Sequence, residues 1–247
     1  MAFEFEELDY QLTRLGAISL RKRAEPRLDG VIVYEVKLGD EYLMSSLFTE
    51  AEVALARLGL GCFPDQTERS LDVIVGGLGL GYTAAATLEH EAVGTLTVIE
   101  LLPPVIDWHR RAIVPLGDQL CADRRCTLVE GDFFFSATSP GGFFPDDPSR
   151  KVHAILLDID HSPEHWLNEK HGSFYSEDGL RKLSDKLRPG GIFGLWSDDP
   201  PDNDFKALLD RVFASSETHV VTFANPYTGG ESSNTVYLAR TRNGSGG

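Results

Sequence analysis

Residues 71–100, LDVIVGGLGLGYTAAATLEHEAVGTLTVIE, constrain this chain more than any other stretch. They open on Leu71-Asp72-Val73-Ile74-Val75, a run too short and too β-branched to favour a helix, which reads as a buried strand. Gly76, Gly77, Gly79 and Gly81 follow, residues 83–88 read as a helix, and residues 95–99 form a second strand closed by Glu100. Glycines let a chain turn sharply from strand to helix and leave bare backbone against which a ligand can lie. The helix behind them presents unpaired N–H groups. An acid closing the next strand can accept hydrogen bonds from both hydroxyls of a ribose. Nineteen positions separate Gly81 from Glu100, close to the ~20 of a nucleoside-binding βαβ unit. Glycines alone would fit a tight structural turn; the order strand, glycines, helix, strand, acid carries the reading.

The flanking sequence extends the pattern in both directions. In residues 1–48, strand-like runs at 17–20, 31–38 and 42–44 are separated by the turn signals Leu28-Asp29-Gly30 and Leu38-Gly39-Asp40, which predicts a small antiparallel hairpin module. Thr49 reads as an N-cap with Glu50 and Glu52 in the first turn of a helix running to Leu58. After Glu100, Pro103-Pro104 opens a helix into Arg110-Arg111. Strands are expected at 126–130, 152–157 and 192–196, helices at 180–187 and 205–213, and a last antiparallel pair at 219–223 and 235–239. The expected organisation is therefore a hairpin module over 1–48, one α/β domain over 49–242 and a disordered tail over 243–247.

Alternating strands and helices imply a mostly parallel sheet covered on both faces, and ligands of such sheets lie outside the carboxyl ends of the strands. Gly77, Gly79, Gly81, Glu100, Asp132, Asp158 with Asp160, and Asp198 with Asp199 all fall there. Acids gathered in one place repel one another, and a cationic ligand relieves that repulsion. The formal charge of −15 argues against nucleic-acid and anionic-membrane partners. The three cysteines, Cys62, Cys121 and Cys126, have no metal-ligand spacing and point to reduced thiols in the cytoplasm. The acidic start has no signal-peptide form, and no apolar run is long enough to span a bilayer.

These motifs resemble those of class I S-adenosylmethionine-dependent methyltransferases and, among them, the spermidine synthase (polyamine aminopropyltransferase) family, over roughly residues 31–240. VIVGGLGLG stands where that family has a strand and a glycine loop, and VIE ends at Glu100 where it has a ribose-binding acid. LVEGD ends at Asp132, matching an adenine-binding Gly-Asp pair; LLDIDHSP resembles the motif whose first Asp lies beside the transferring group, which is Asp158 here. FYSEDGLRKLSDKLRPGGIFGLW resembles the segment after the family's gate loop, and Tyr227 in ANPYTGG resembles a tyrosine placed near the amine. The resemblance implies a Rossmann-like seven-stranded sheet with an antiparallel last strand, preceded by the hairpin module. It also implies a homodimer. The sequence departs from the family in lacking a Tyr-His pair in GDEYLMSSLFTEAE and in carrying Leu78 and Leu80 in the glycine loop.

The chemistry implied is displacement at a carbon made electrophilic by a sulfonium, with alignment as the enzyme's main task. An amine nucleophile must first lose a proton, which Asp158 or, second, Asp160 is placed to take. Asp198 and Tyr227 are expected at a cationic amine substrate. His161 and His165 have i, i+4 spacing but no third ligand, so no metal is expected. The segment HSPEHWLNEKHGSFY reads as a lid with Trp166 and Phe174 over the ligand. Three functions stay open: aminopropyl transfer from decarboxylated S-adenosylmethionine, methyl or other alkyl transfer from S-adenosylmethionine to a small molecule, and a non-catalytic nucleoside-binding scaffold.

Overall fold

A computed structural model describes residues 5–63 and 70–244. The last three residues of the expected tail, and part of the link between the first helix and the nucleoside unit, lie outside the described residues.

The chain begins with a four-stranded antiparallel sheet: β1 (Phe5–Thr13), β2 (Gly16–Glu25), β3 (Val31–Leu38) and β4 (Glu41–Ser45), paired in that order. β1 was not legible in the sequence. It is rich in acids, which are depleted in strands, and a register shift between Glu7 and Asp9 breaks its alternation. Then come α1 (Glu50–Gly61), β5 (Leu71–Gly76), α2 (Tyr82–Leu88), β6 (Val93–Glu100), α3 (Pro103–Arg110), α4 (Gly117–Ala122), β7 (Cys126–Glu130) and α5 (Phe133–Thr138). The chain ends with β8 (Val152–Leu157), α6 (Glu177–Ser184), β9 (Leu187–Ser197), α7 (Asn203–Val212), β10 (Ser215–Asn225) and β11 (Gly230–Arg240).

The second sheet has seven strands in the order β10-β11-β9-β8-β5-β6-β7. β5 to β9 run parallel, while β11 pairs antiparallel with both β9 and β10. Alternation along the buried strands divides the core in two. Val73, Val75, Ala154 and Leu156 face one side with Leu55, Trp108 and Leu120; Ile74, Ile155 and Leu157 face the other with Phe133, Phe174 and Leu180. No helix among the described residues is long and apolar enough to cross a membrane.

Several boundaries shift for local reasons. Ser176 caps α6 by accepting from Gly179 N at 3.1 Å, so that helix starts before residue 180 and Leu187 already belongs to β9. Thr49 makes no side-chain cap bond; Glu50 instead accepts from its backbone N–H at 3.0 Å. β10 and β11 outrun their expected spans at both ends, which carries their turn towards the N-terminal sheet. α4 was missed because six residues are too few to show a helical period.

Besides its pairing with β2, β1 is fastened to α3 through Asp9. The indole of the fully buried Trp108 on α3 donates to Asp9 Oδ2 at 2.6 Å, and Gln11 and Arg111 donate to the same oxygen. Asp9→Ala leaves a buried N–H without an acceptor and should lower stability by about 1–3 kcal/mol. Urea unfolding read by tryptophan emission measures this; an unchanged midpoint would mean that the strand is held elsewhere.

Candidate active site

The carboxyl ends of β5, β6, β7, β8 and β9 open into a cavity of about 600 Å³. The N-terminal sheet closes one side with Val36, Leu38, Leu43 and Met44; β10 and β11 close another with Phe223, Asn225 and Asn234. The site lies at the topological switch of the sheet, where β6 continues from β5 in one direction and β8 in the other.

The glycine loop is shaped by the protein's own atoms. Gly77 has φ +94°, and a Cβ there would collide with the carbonyl oxygen of Asp158. Gly79, at φ +47°, would collide with the sulfur of Met44. Both line the cavity, so the close approach that glycine permits is made first by neighbouring strands. Gly81 caps α2 and packs on His109 and Leu120, away from the cavity wall.

Glu100 is buried at the end of β6 and accepts backbone N–H groups from Leu78 at 3.0 Å and Leu102 at 2.8 Å. Burial pushes its pKa up and these N–H groups pull it down. Its carboxylate lines the cavity. Asp132 also lines the cavity and caps α5, accepting from Phe135 N at 3.0 Å. His109 is a residue that sequence reasoning missed. Fully buried, with its pKa lowered by desolvation, it uses Nε2–H to hold the carbonyl of Gly79 at 2.9 Å. No motif marks it.

The far half of the cavity is acidic. Asp158 accepts the Thr83 hydroxyl of α2 at 2.7 Å rather than capping the turn that follows it. It is half-buried and lines the cavity. Burial raises its pKa to about 6 against the opposing pull of that hydrogen bond. Glu52, in the first turn of α1, also lines the cavity at only 9% exposure. Its pKa rises to about 8, from burial first and then from the neighbouring charge of Asp158. Sequence reasoning took Glu52 for an ordinary first-turn acid. Asp198 completes the group, accepting from Asn234 Nδ2 at 2.6 Å.

Other expected site residues lie elsewhere. Asp160 is buried off the cavity wall and accepts from Leu167 N at 2.8 Å, His171 Nδ1 at 2.8 Å and Tyr175 Oη at 3.0 Å. It thereby ties the 161–177 segment down, so that Leu167, Asn168 and His171 face the cavity. Phe174 sinks into the core instead of covering the cavity, and Trp166 stacks on Tyr175 at the surface. Asp199 turns away to pair with His165 at 2.7 Å. Tyr227 sits on the far side of Phe48, its hydroxyl held by Glu25 and Arg23 at 2.9 Å each. The long β10–β11 hairpin carries it past the cavity to the N-terminal sheet.

Glu52, Glu100, Asp132, Asp158 and Asp198 thus line one cavity, with no Lys or Arg among its described lining residues. Only His161 and His171 offer a titratable nitrogen there. The same described residues hold no cluster of metal-ligating side chains.

No protein-family profile matches the chain, and no curated protein matches it in sequence. Solved structures do match in shape. A spermidine synthase in complex with the transition-state analogue AdoDATO superposes with a TM-score of 0.70 at 17% identity, covering 95% of this chain and 73% of that one. The spermidine synthase of Thermotoga maritima gives 0.69 at 16% identity, covering 95% and 72%. A probable spermidine synthase from Corynebacterium glutamicum gives 0.61 at 15%, covering 95% and 79%. The chain shares the fold of these enzymes, including the N-terminal sheet and the seven-stranded sheet ending in antiparallel strands.

The raised acid has a measurable cost. Below its ordinary value of 4.5, Glu52 is protonated whether the chain is folded or not. As pH climbs from there towards about 8, the unfolded chain releases this proton while the folded one retains it, so stability is lost across that window. Glu52→Gln cannot ionise. Its melting temperature should match the parent at about pH 5 and exceed it by several degrees at about pH 9. A difference that does not change with pH would mean that Glu52 titrates normally.

Proposed function

We propose that this chain transfers an aminopropyl group from decarboxylated S-adenosylmethionine to a di- or polyamine. The observation that carries the proposal is the cavity wall: five carboxylates and no Lys or Arg among the described lining residues. A donor that keeps its methionine carboxylate would bring a further negative charge into that wall, with no Lys or Arg among the described lining residues to meet it. A decarboxylated donor ends in an ammonium instead, and an amine acceptor adds further positive charge. Both relieve the repulsion among the acids.

In this reading Glu100 takes the ribose hydroxyls and Asp132 the adenine. Gly77 and Gly79 let the loop fold tightly enough to present both. The sulfonium makes the adjoining carbon electrophilic, and alignment of the acceptor nitrogen supplies most of the acceleration. Asp158, held by Thr83, accepts a proton from the attacking nitrogen as it becomes a nucleophile. Asp198 holds a distal ammonium. Asp160 acts through the 161–177 segment, keeping it closed over the site so that water does not compete.

Calorimetric titration with decarboxylated S-adenosylmethionine, S-adenosylmethionine and methylthioadenosine, each with and without putrescine, tests the reading. The decarboxylated donor should bind at least roughly tenfold more tightly than the intact one, a difference of about 1.4 kcal/mol, and putrescine should strengthen it. Preference for the intact donor without response to putrescine would overturn the proposal in favour of methyl transfer. Asp158→Asn should cut kcat by roughly 10²–10⁴-fold while leaving methylthioadenosine binding unchanged.

A further inference from the structure

We infer that Glu52 is half of the proton acceptor: Glu52 and Asp158 hold one proton between them in the free protein and give it up when the amine arrives. This rests on the aminopropyl reading above. The two acids come from distant parts of the chain, α1 and the end of β8, and the Thr83 side chain lies between the Asp158 carboxylate and the main chain of Glu52. The Thr83 hydroxyl bonds Asp158 Oδ2 at 2.7 Å and lies 3.4 Å from the backbone carbonyl oxygen of Glu52. Both carboxylates line the same cavity. No Lys or Arg is among the described residues that line the cavity, burial acts on both acids, and the charge of Asp158 acts on Glu52 besides. Two carboxylates in such a site do not both ionise; one stays protonated and the proton belongs to the pair.

An ammonium entering the cavity supplies the missing positive charge, so the pair's proton leaves to solvent as the amine binds. The attacking nitrogen then passes one of its own three protons back to the pair, which frees its lone pair. The N–C bond forms as the C–S bond breaks, the bonding electrons go to sulfur, and a neutral thioether departs. The nitrogen leaves as a secondary ammonium, and the pair again holds one proton. The net reaction releases one proton, and on this account it is released at binding rather than during chemistry. It also gives Glu52 a task that Asp158 cannot perform alone. A single half-buried aspartate facing a cation would stay ionised and would be a weak base towards an alkylammonium whose pKa is about 10. A paired acid, with a second charge pressing on it, is a stronger one.

The test is putrescine binding measured calorimetrically at about pH 7 in two buffers of different ionisation enthalpy, with methylthioadenosine present. The parent should release close to one proton per putrescine, Glu52→Gln close to none, and Glu52→Asp should restore the release. In activity, Glu52→Gln should lower kcat roughly 10²-fold and move the acid limb of the pH profile down by about one unit, since Asp158 then titrates alone. A structural role for Glu52 would leave that limb in place. Equal proton release by parent and Glu52→Gln overturns the inference. If putrescine does not bind at all, the aminopropyl reading falls, and the pair is decided separately by carboxyl ¹³C titration of the free protein. A resonance absent from Glu52→Gln and titrating well above the ordinary ~4.3 supports the pair; ordinary titration of both acids refutes it.

Discussion

The contact on which the rest depends is the seam where β5 and β8 run out together. Asp158 N–H donates to the carbonyl of Gly76 at 2.8 Å, one residue beyond the paired strands, and the Asp158 carbonyl presses against Gly77. Only a residue without a Cβ tolerates that approach at a positive φ. The contact sets the glycine loop beside Asp158. The loop leads into α2, whose Thr83 can then reach the Asp158 carboxylate. α1 packs across α2, which brings Glu52 to the same point. The glycine loop, Asp158 and Glu52 are therefore brought together through a backbone contact about one atom wide.

Around that seam the molecule tolerates an arrangement that does not favour its own stability. Burying carboxylates without cations costs free energy, and the cost appears here as raised pKa values rather than as ion pairs. The rest of the chain pairs its charges where it can: Arg21 and Arg23 meet Glu35, and Arg125 meets Asp123. That contrast is the physical case for a ligand. Glu35 and Asp123 meet guanidinium groups, whereas the acids of the cavity are held by neutral N–H and hydroxyl donors, with no Lys or Arg among the described lining residues. Perturbed carboxylates gathered in a cleft are where function concentrates.

Much of this could be read from residue order. A β-branched run, glycines, a helix and an acid nineteen positions after the last glycine define a local unit, because strand period, turn chemistry and helix length are short-range properties. The strand ends at Glu100, Asp132, Asp158 and Asp198 were legible for the same reason: in a parallel sheet every strand delivers its last residue to one edge. What failed were inferences about direction within loops. Asp160 lies two residues beyond Asp158 and turns inward to bind the segment after it; Tyr227 sits on a hairpin whose length, not its motif, sets where it lands. Phe174 and Trp166, both expected over the ligand, instead go into the core and to the surface, because Asp160 ties the segment back on itself.

The sequence by itself determined the alternation of strands and helices, the parallel sheet and the row of acids at its carboxyl edge, since each follows from patterns of a few residues. Only the tertiary structure decided which acids share a cavity, because that depends on contacts between segments far apart in the chain. Glu52 is the clearest case: in sequence it is one more first-turn acid of a helix. It acquires a partner and a raised pKa only when α1 settles against α2 and the end of β8, 106 positions away.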